Sequence, residues 1–136
     1  LLIGIGPEPD GTIPSWQATP LLGLGEWLDV NGEAVFCSRP WERAEGTTSQ
    51  GTPVRFTRRD GAIYAVLLEA PPTRRVELRD VDASGVEEVR FLGIDDGMTW
   101  EVVDGTLRVT LPDRLPVAPA LTLRLSPGDG IRPRRD

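Results

Sequence analysis

Two hydrophobic patterns divide the chain. Up to about residue 32, apolar positions come first as a run and then at helical spacing. After that they come in short alternating stretches. Residues 1–5, Leu-Leu-Ile-Gly-Ile, form a continuous apolar run closed by Gly6-Pro7, the pattern of a strand buried on both faces. Residues 7–13 carry loop residues. A helix is predicted next. Thr19 suits its N-cap and Pro20 its first position, while Leu21, Leu24 and Leu28 fall at i, i+3 and i+7. Pro14 can start an earlier turn, with a kink near Pro20. Gly23 and Gly25 each weaken the helix by about 1 kcal/mol relative to Ala. Asn31-Gly32 ends it.

From Glu33 onward the pattern predicts strands. Residues 54–58 and 62–68 form a hairpin about Arg59-Asp60-Gly61. Residues 76–78 and 86–92 are further strands, the second followed by a turn over 93–97. Residues 100–103 and 106–111 pair about Asp104-Gly105, and 120–125 alternates as the last strand. This spacing indicates a mainly β fold, an antiparallel β-sandwich preceded by one strand-loop-helix unit. The tail over 127–136 is expected to be flexible. No internal repeat is present.

Composition narrows the chemistry. At 136 residues the chain is one small domain, or one domain with a remnant of another. There is no His, which excludes Ser-His-Asp and Cys-His triads and zinc-histidine sites from this chain. The single Cys37 allows no internal disulfide and no cysteine cluster; it is expected to be a small buried residue. The net charge of −6 argues against electrostatic nucleic-acid binding. All 15 basic residues are Arg, read as a mark of a GC-rich bacterial genome. No apolar run approaches the roughly 18 residues that span a bilayer, and no basic n-region of a signal peptide is present. The compartment is left open. The abrupt start in an apolar run, without Met, is expected of the end of something longer.

At this point the residues resemble a known family. Residues 2–14, Leu-Ile-Gly-Ile-Gly-Pro-Glu-Pro-Asp-Gly-Thr-Ile-Pro, are similar to the end of the catalytic barrel in α-L-fucosidases of glycoside hydrolase family 29. Leu21-Leu22, Gly25 and Trp27-Leu28 fit that barrel's last helix. Val30-Asn-Gly-Glu-Ala34 and Ser38-Arg-Pro-Trp41 fit its crossing segment. From 52 to 125 the likeness is one of strand order. The family usually has Asn in place of Gly4 and Tyr in place of Phe36. The resemblance implies a (β/α)₈-like barrel followed by a C-terminal β-sandwich. Residues 1–32 would be the barrel's last β/α unit and 33–126 the sandwich. It also implies a retaining mechanism, with nucleophile and acid/base carboxylates roughly 5–5.5 Å apart. Both lie upstream of anything matched here, so no catalytic residue is carried onto this chain.

The candidate residues are few. Glu8 and Asp10 follow the last barrel strand, and barrel active sites occupy C-terminal strand ends. They are candidates for the substrate rim, against a plain Asp-Gly turn. Trp16 is a third rim candidate, because a pyranose presents C–H groups to an aromatic face; the alternative is packing. Trp27, Trp41 and Trp100 are expected to be packing residues, Trp100 in the sandwich core. Asp80 with Asp82, and Asp95 with Asp96, offer oxygen ligands for Ca²⁺ but lack the rest of a calcium loop and are expected to be solvated turns. Arg58-Arg59 and Arg74-Arg75 could clasp an anion; Arg74-Arg75 would also mask a strand edge. Glu87 and Glu88 are adjacent on a strand and point to opposite faces, which excludes them as a catalytic pair. No cofactor or metal motif is read.

Two functional readings follow. In the first, the chain is the C-terminal region of a retaining exo-glycosidase that removes terminal α-L-fucose from glycoconjugates. The chain itself would be accessory and inactive, with homo-oligomer contacts open to it. In the second, it is a free-standing β-sandwich module binding carbohydrate or protein, for which residues 33–136 would suffice.

Overall fold

The computed structural model describes residues 3–134. Its only α-helix among those residues, α1, spans Ser15–Asn31. It starts four residues before the expected Thr19 cap. Pro14 stands at the N-cap in extended geometry, and its carbonyl accepts from the N–H groups of Gln17 and Ala18 at 2.9 and 3.0 Å. Pro20 therefore lies inside the helix. It removes one helical donor, a cost the exposed carbonyl of the preceding turn offsets through solvent. The C-terminus falls where Asn31-Gly32 predicts it. A single 3₁₀ turn, Gly32–Ala34, follows.

The strand expected over 1–5 is not found where it can be seen. Leu1 and Leu2 lie outside the described residues, and residues 3–5 have no strand partner. A strand needs a hydrogen-bonded neighbour, and no described segment runs alongside. Ile3 and Ile5 are consequently exposed.

The rest is antiparallel sheet. The strands are β1 (Arg39–Thr47), β2 (Pro53–Arg59), β3 (Ala62–Leu67), β4 (Arg75–Leu78), β5 (Val81–Asp82), β6 (Glu88–Phe91), β7 (Thr99–Val103), β8 (Thr106–Thr110), β9 (Leu121–Ser126) and β10 (Arg132–Pro133). One sheet has the order β1-β2-β3-β9-β6, a second β4-β8-β7, and β10 pairs with β5. Both predicted hairpins form. Asp60-Gly61 and Asp104-Gly105 turn with φ of 48°, 74°, 50° and 73°, the left-handed pairs of a type I′ turn, whose twist matches the strands.

The core fills the space between the two larger sheets. Alternate residues Val54 and Phe56, Ile63, Ala65 and Leu67, and Leu121, Leu123 and Leu125 face Val76, Leu78, Leu107 and Val109. Strand β3 is buried on both faces. Its other set, Ala62, Tyr64 and Val66, forms a small second cluster with Ala34, against which Trp27 packs. This second cluster positions the helix.

The chain end corrects the expected flexible tail as far as residue 134. Gly128–Gly130 makes a 3₁₀ turn, Ile131 is buried in the core, and β10 pairs with β5. The turn-rich composition suggested fraying. Instead the glycines let two backbones meet: a Cβ on Gly85 would lie 2.7 Å from the Cα of Gly130.

Candidate functional site

The segment ahead of α1 builds its own turn. Asp10 accepts at Oδ1 from the Thr12 N–H (2.9 Å) and hydroxyl (2.7 Å). These hydrogen bonds hold its carboxyl below the usual value of 3.8, because they favour the charged form. Glu8 closes the same turn through its backbone, donating to Thr12 and accepting from Gly11, both at 2.8 Å. Gly11, at φ 86°, takes the left-handed position. Gln17 on α1 then clamps the segment: its amide accepts from the Gly6 N–H at 2.8 Å and donates to the Gly6 carbonyl at 3.1 Å. Glu8, Asp10 and Trp16 are thus on one continuous loop-to-helix surface, and all three are exposed, Trp16 at 73%.

The same third of the chain carries most of the exposed apolar surface. Of eleven large apolar residues exposed among the described residues, eight fall between Ile3 and Phe36. Leu22 is 68% and Phe36 56% exposed. Apolar side chains gathered on one segment mark a surface built to be covered. The helix is fixed to the sandwich mainly at its C-terminal end. The Trp27 indole N–H donates to the Ala120 carbonyl at 2.8 Å. Asn31, the one buried residue of α1, donates from its amide to the Trp27 carbonyl at 3.0 Å. Thr57 on β2 donates its hydroxyl to the Ala34 carbonyl at 2.7 Å. Along the rest of α1, Trp16 and Leu22 are exposed, while Leu21, Leu24 and Leu28 are half-buried. Trp27 therefore holds an interface within this chain, which its helical spacing alone did not reveal.

The remaining candidates fall into place. Trp41 is buried and tilts against Phe56, with ring centroids 5.3 Å apart. Trp100, expected in the core, is 36% exposed; it sits on the edge strand β7, where the three-stranded sheet ends. Cys37, expected to be buried, is exposed at φ 58°, because it lies on the connection between the 3₁₀ turn and β1. Asp80 is engaged by Arg43 Nη2 at 2.6 Å and by the Thr47 N–H at 2.7 Å. Asp82 caps its own turn by accepting from the Ser84 N–H (3.0 Å) and hydroxyl (2.6 Å). Arg74 pairs with Asp113 and donates to the Leu111 carbonyl, so it ties β4 to the chain beyond β8. No helix among the described residues is long and apolar enough to cross a membrane.

Comparison with known proteins agrees with this architecture. The alpha-L-fucosidase C-terminal domain matches residues 47–126, from the end of β1 to the end of β9. The tissue alpha-L-fucosidase of Rattus norvegicus is 34% identical over 131 residues, which is 92% of this chain and 28% of that protein. The tissue alpha-L-fucosidase of Homo sapiens is 33% identical over 120 residues, 86% of this chain and 25% of that protein. The crystal structure of Thermotoga maritima alpha-fucosidase superposes with a TM-score of 0.77 at 34% identity, covering 91% of this chain and 30% of that one. The chain spans less than a third of the length of these relatives. A β-sandwich with this strand order, matched over more than half its residues, settles the assignment: the chain belongs to the alpha-L-fucosidase C-terminal domain family.

Proposed function

We propose that this chain is the accessory C-terminal region of an α-L-fucosidase. In the proposed parent, residues 1–32 are the last β/α unit of the catalytic barrel and 33–126 the sandwich that braces it. The observation that carries this reading is the concentration of exposed apolar residues between Ile3 and Phe36. A barrel packed there would cover them and supply the neighbouring strands that residues 3–5 lack among the described residues. The parent would hydrolyse terminal α-L-fucose from glycoconjugates by the retaining mechanism, with both carboxylates outside this chain. Glu8, Asp10 and Trp16 would stand at the rim of its pocket, since loops after barrel strands line the catalytic face.

The test is direct. The purified 136-residue chain is expected to leave 4-nitrophenyl α-L-fucopyranoside intact. An antibody against it is expected to detect, in the source cells, a product several times the mass of 14.9 kDa. Turnover by the chain alone, or a native product near its own mass, would overturn the reading.

A further inference from the structure

At one end of the sandwich the inner face of the large sheet breaks the core pattern. The cross-strand row there runs Arg39, Arg58, Ile63, Leu125. Ile63 and Leu125 are core residues. Where the row would continue, two arginines stand directly opposite each other on β1 and β2. Like charges in that relation destabilise a sheet. The chain has a surplus of carboxylates, 21 against 15 basic residues, yet among the described residues none forms an ion pair with either arginine. Among the described residues, neither arginine makes an ion pair or side-chain hydrogen bond. Arg59, the next residue, is by contrast tied to Asp60 at 2.9 Å and to the Phe36 carbonyl at 3.0 Å.

The pair lines a groove of about 520 Å³, within the range of small-ligand sites, roughly 300–1,000 Å³. Its floor is apolar: Trp41, Ile63 and Ile131 are all buried. Three acidic residues also line it, Glu42, Asp60 and Asp129, and of these Asp60 is tied to Arg59. A bulge shapes it. Between Pro40 and Glu45, four residues of β1 stand against one of β2, and such an irregularity bends a strand and re-aims its side chains.

We propose that this groove binds a sugar bearing a single carboxylate, such as a uronic acid. Two guanidinium forks carried by directly opposed residues on one groove suit one carboxylate, because each offers paired parallel donors. The acceptor carboxylates suit hydroxyl groups and repel a polyanion. The apolar floor suits the C–H face of a pyranose. An unneutralised like-charge pair is the kind of local conflict that a bound anion resolves. The site stands on this geometry and does not require the parent's hydrolysis.

The test titrates the 136-residue chain with D-glucuronate, L-fucose and N-acetylglycine, followed by calorimetry and by backbone amide shifts. Glucuronate is expected to bind more tightly than either of the others and to shift amides of 39–42, 58–63 and 129–132. Arg39→Gln and Arg58→Gln are each expected to weaken it roughly tenfold or more, the range of one lost charge-assisted hydrogen bond. Arg58→Lys, which keeps the charge but not the fork, is expected to fall between. Circular dichroism of each variant separates loss of site from loss of fold. Bound glucuronate is also expected to slow alkylation of the groove residue Cys37 by iodoacetamide in the native chain. Equal binding of fucose would refute the anion site. Equal or tighter binding of N-acetylglycine would reassign the groove to a peptide carboxylate. Undiminished glucuronate binding by folded Arg39→Gln and Arg58→Gln chains would also overturn it. None of these results bears on the inertness toward the aryl fucoside that tests the accessory reading.

Discussion

Replacing Trp27 with Ala asks how firmly the helix belongs to the sandwich. Complete burial makes a Trp→Ala change cost about 3–5 kcal/mol. Trp27 is half-buried, packed on the cluster of Ala34, Ala62, Tyr64 and Val66, so about half of that applies. Its indole also loses the hydrogen bond to Ala120, a net contribution of about 1 kcal/mol. The sum is about 2.5–3.5 kcal/mol. Trp27→Phe keeps most of the ring and is expected to cost roughly the hydrogen bond alone, about 1 kcal/mol. Urea denaturation followed by circular dichroism measures both. Because only Asn31 of α1 is buried, the loss falls first on the helix. Amides of 21–31 are expected to exchange faster in Trp27→Ala while those of β3 and β9 keep their protection. A cost under about 0.5 kcal/mol, or unchanged helix exchange, would refute the view that Trp27 is the anchor.

Other outcomes follow from the same geometry. Gly25 faces open space, with nothing within 4 Å of an added Cβ; Gly25→Ala is expected to stabilise the chain by about 0.5–1 kcal/mol in urea. Gly46→Ala is expected to destabilise by about 1–3 kcal/mol, since the new Cβ would lie 2.7 Å from Asp80 Oδ2 and 2.8 Å from Phe56 Cε2; an unchanged urea midpoint would contradict that packing. Asp82 is held below the ordinary 3.8 chiefly by the Ser84 hydroxyl, then by its N–H and the nearby Arg134. A lowered carboxyl stabilises the fold above its unfolded value and loses that contribution as pH falls through the folded one. The denaturation midpoints of the native chain and Asp82→Ala are therefore expected to differ at pH 7 and to converge in acid below the ordinary 3.8.

The hairpins were legible because their signals are local. Asp60-Gly61 and Asp104-Gly105 need only their own backbone geometry, and the alternation beside them is strict. Strand β1 was not legible. Arg-Pro-Trp-Glu-Arg-Ala-Glu-Gly-Thr carries charge and a proline, as edge strands do, and its bulge breaks the alternation. For the same reason the sequence does not show the opposition of Arg39 to Arg58, although Arg58-Arg59 stands out in it as an anion candidate. Residue type alone places Trp100 and Cys37 in the interior, whereas exposure at a sheet edge or a connection is set by topology. The β10–β5 pairing joins residues about 50 apart and leaves no periodic trace. The loop over 7–13 was legible for a local reason too, since Asp10 and Thr12, whose hydrogen bonds close its turn, are near neighbours.

Strand β9 lies between β3 and β6, yet it is made of residues 121–126. During synthesis the place between β3 and β6 stays empty until residues 121–126 have been made. Its closing strand must thread between two elements already formed or waiting. Pairings this distant in sequence fold slowly and expose strand edges while they wait. The helical segment, by contrast, can form as soon as it leaves the ribosome. Closure of the large sheet thereby waits for residues 121–126, and loss of β9 would detach β6 from the sheet rather than trim its margin.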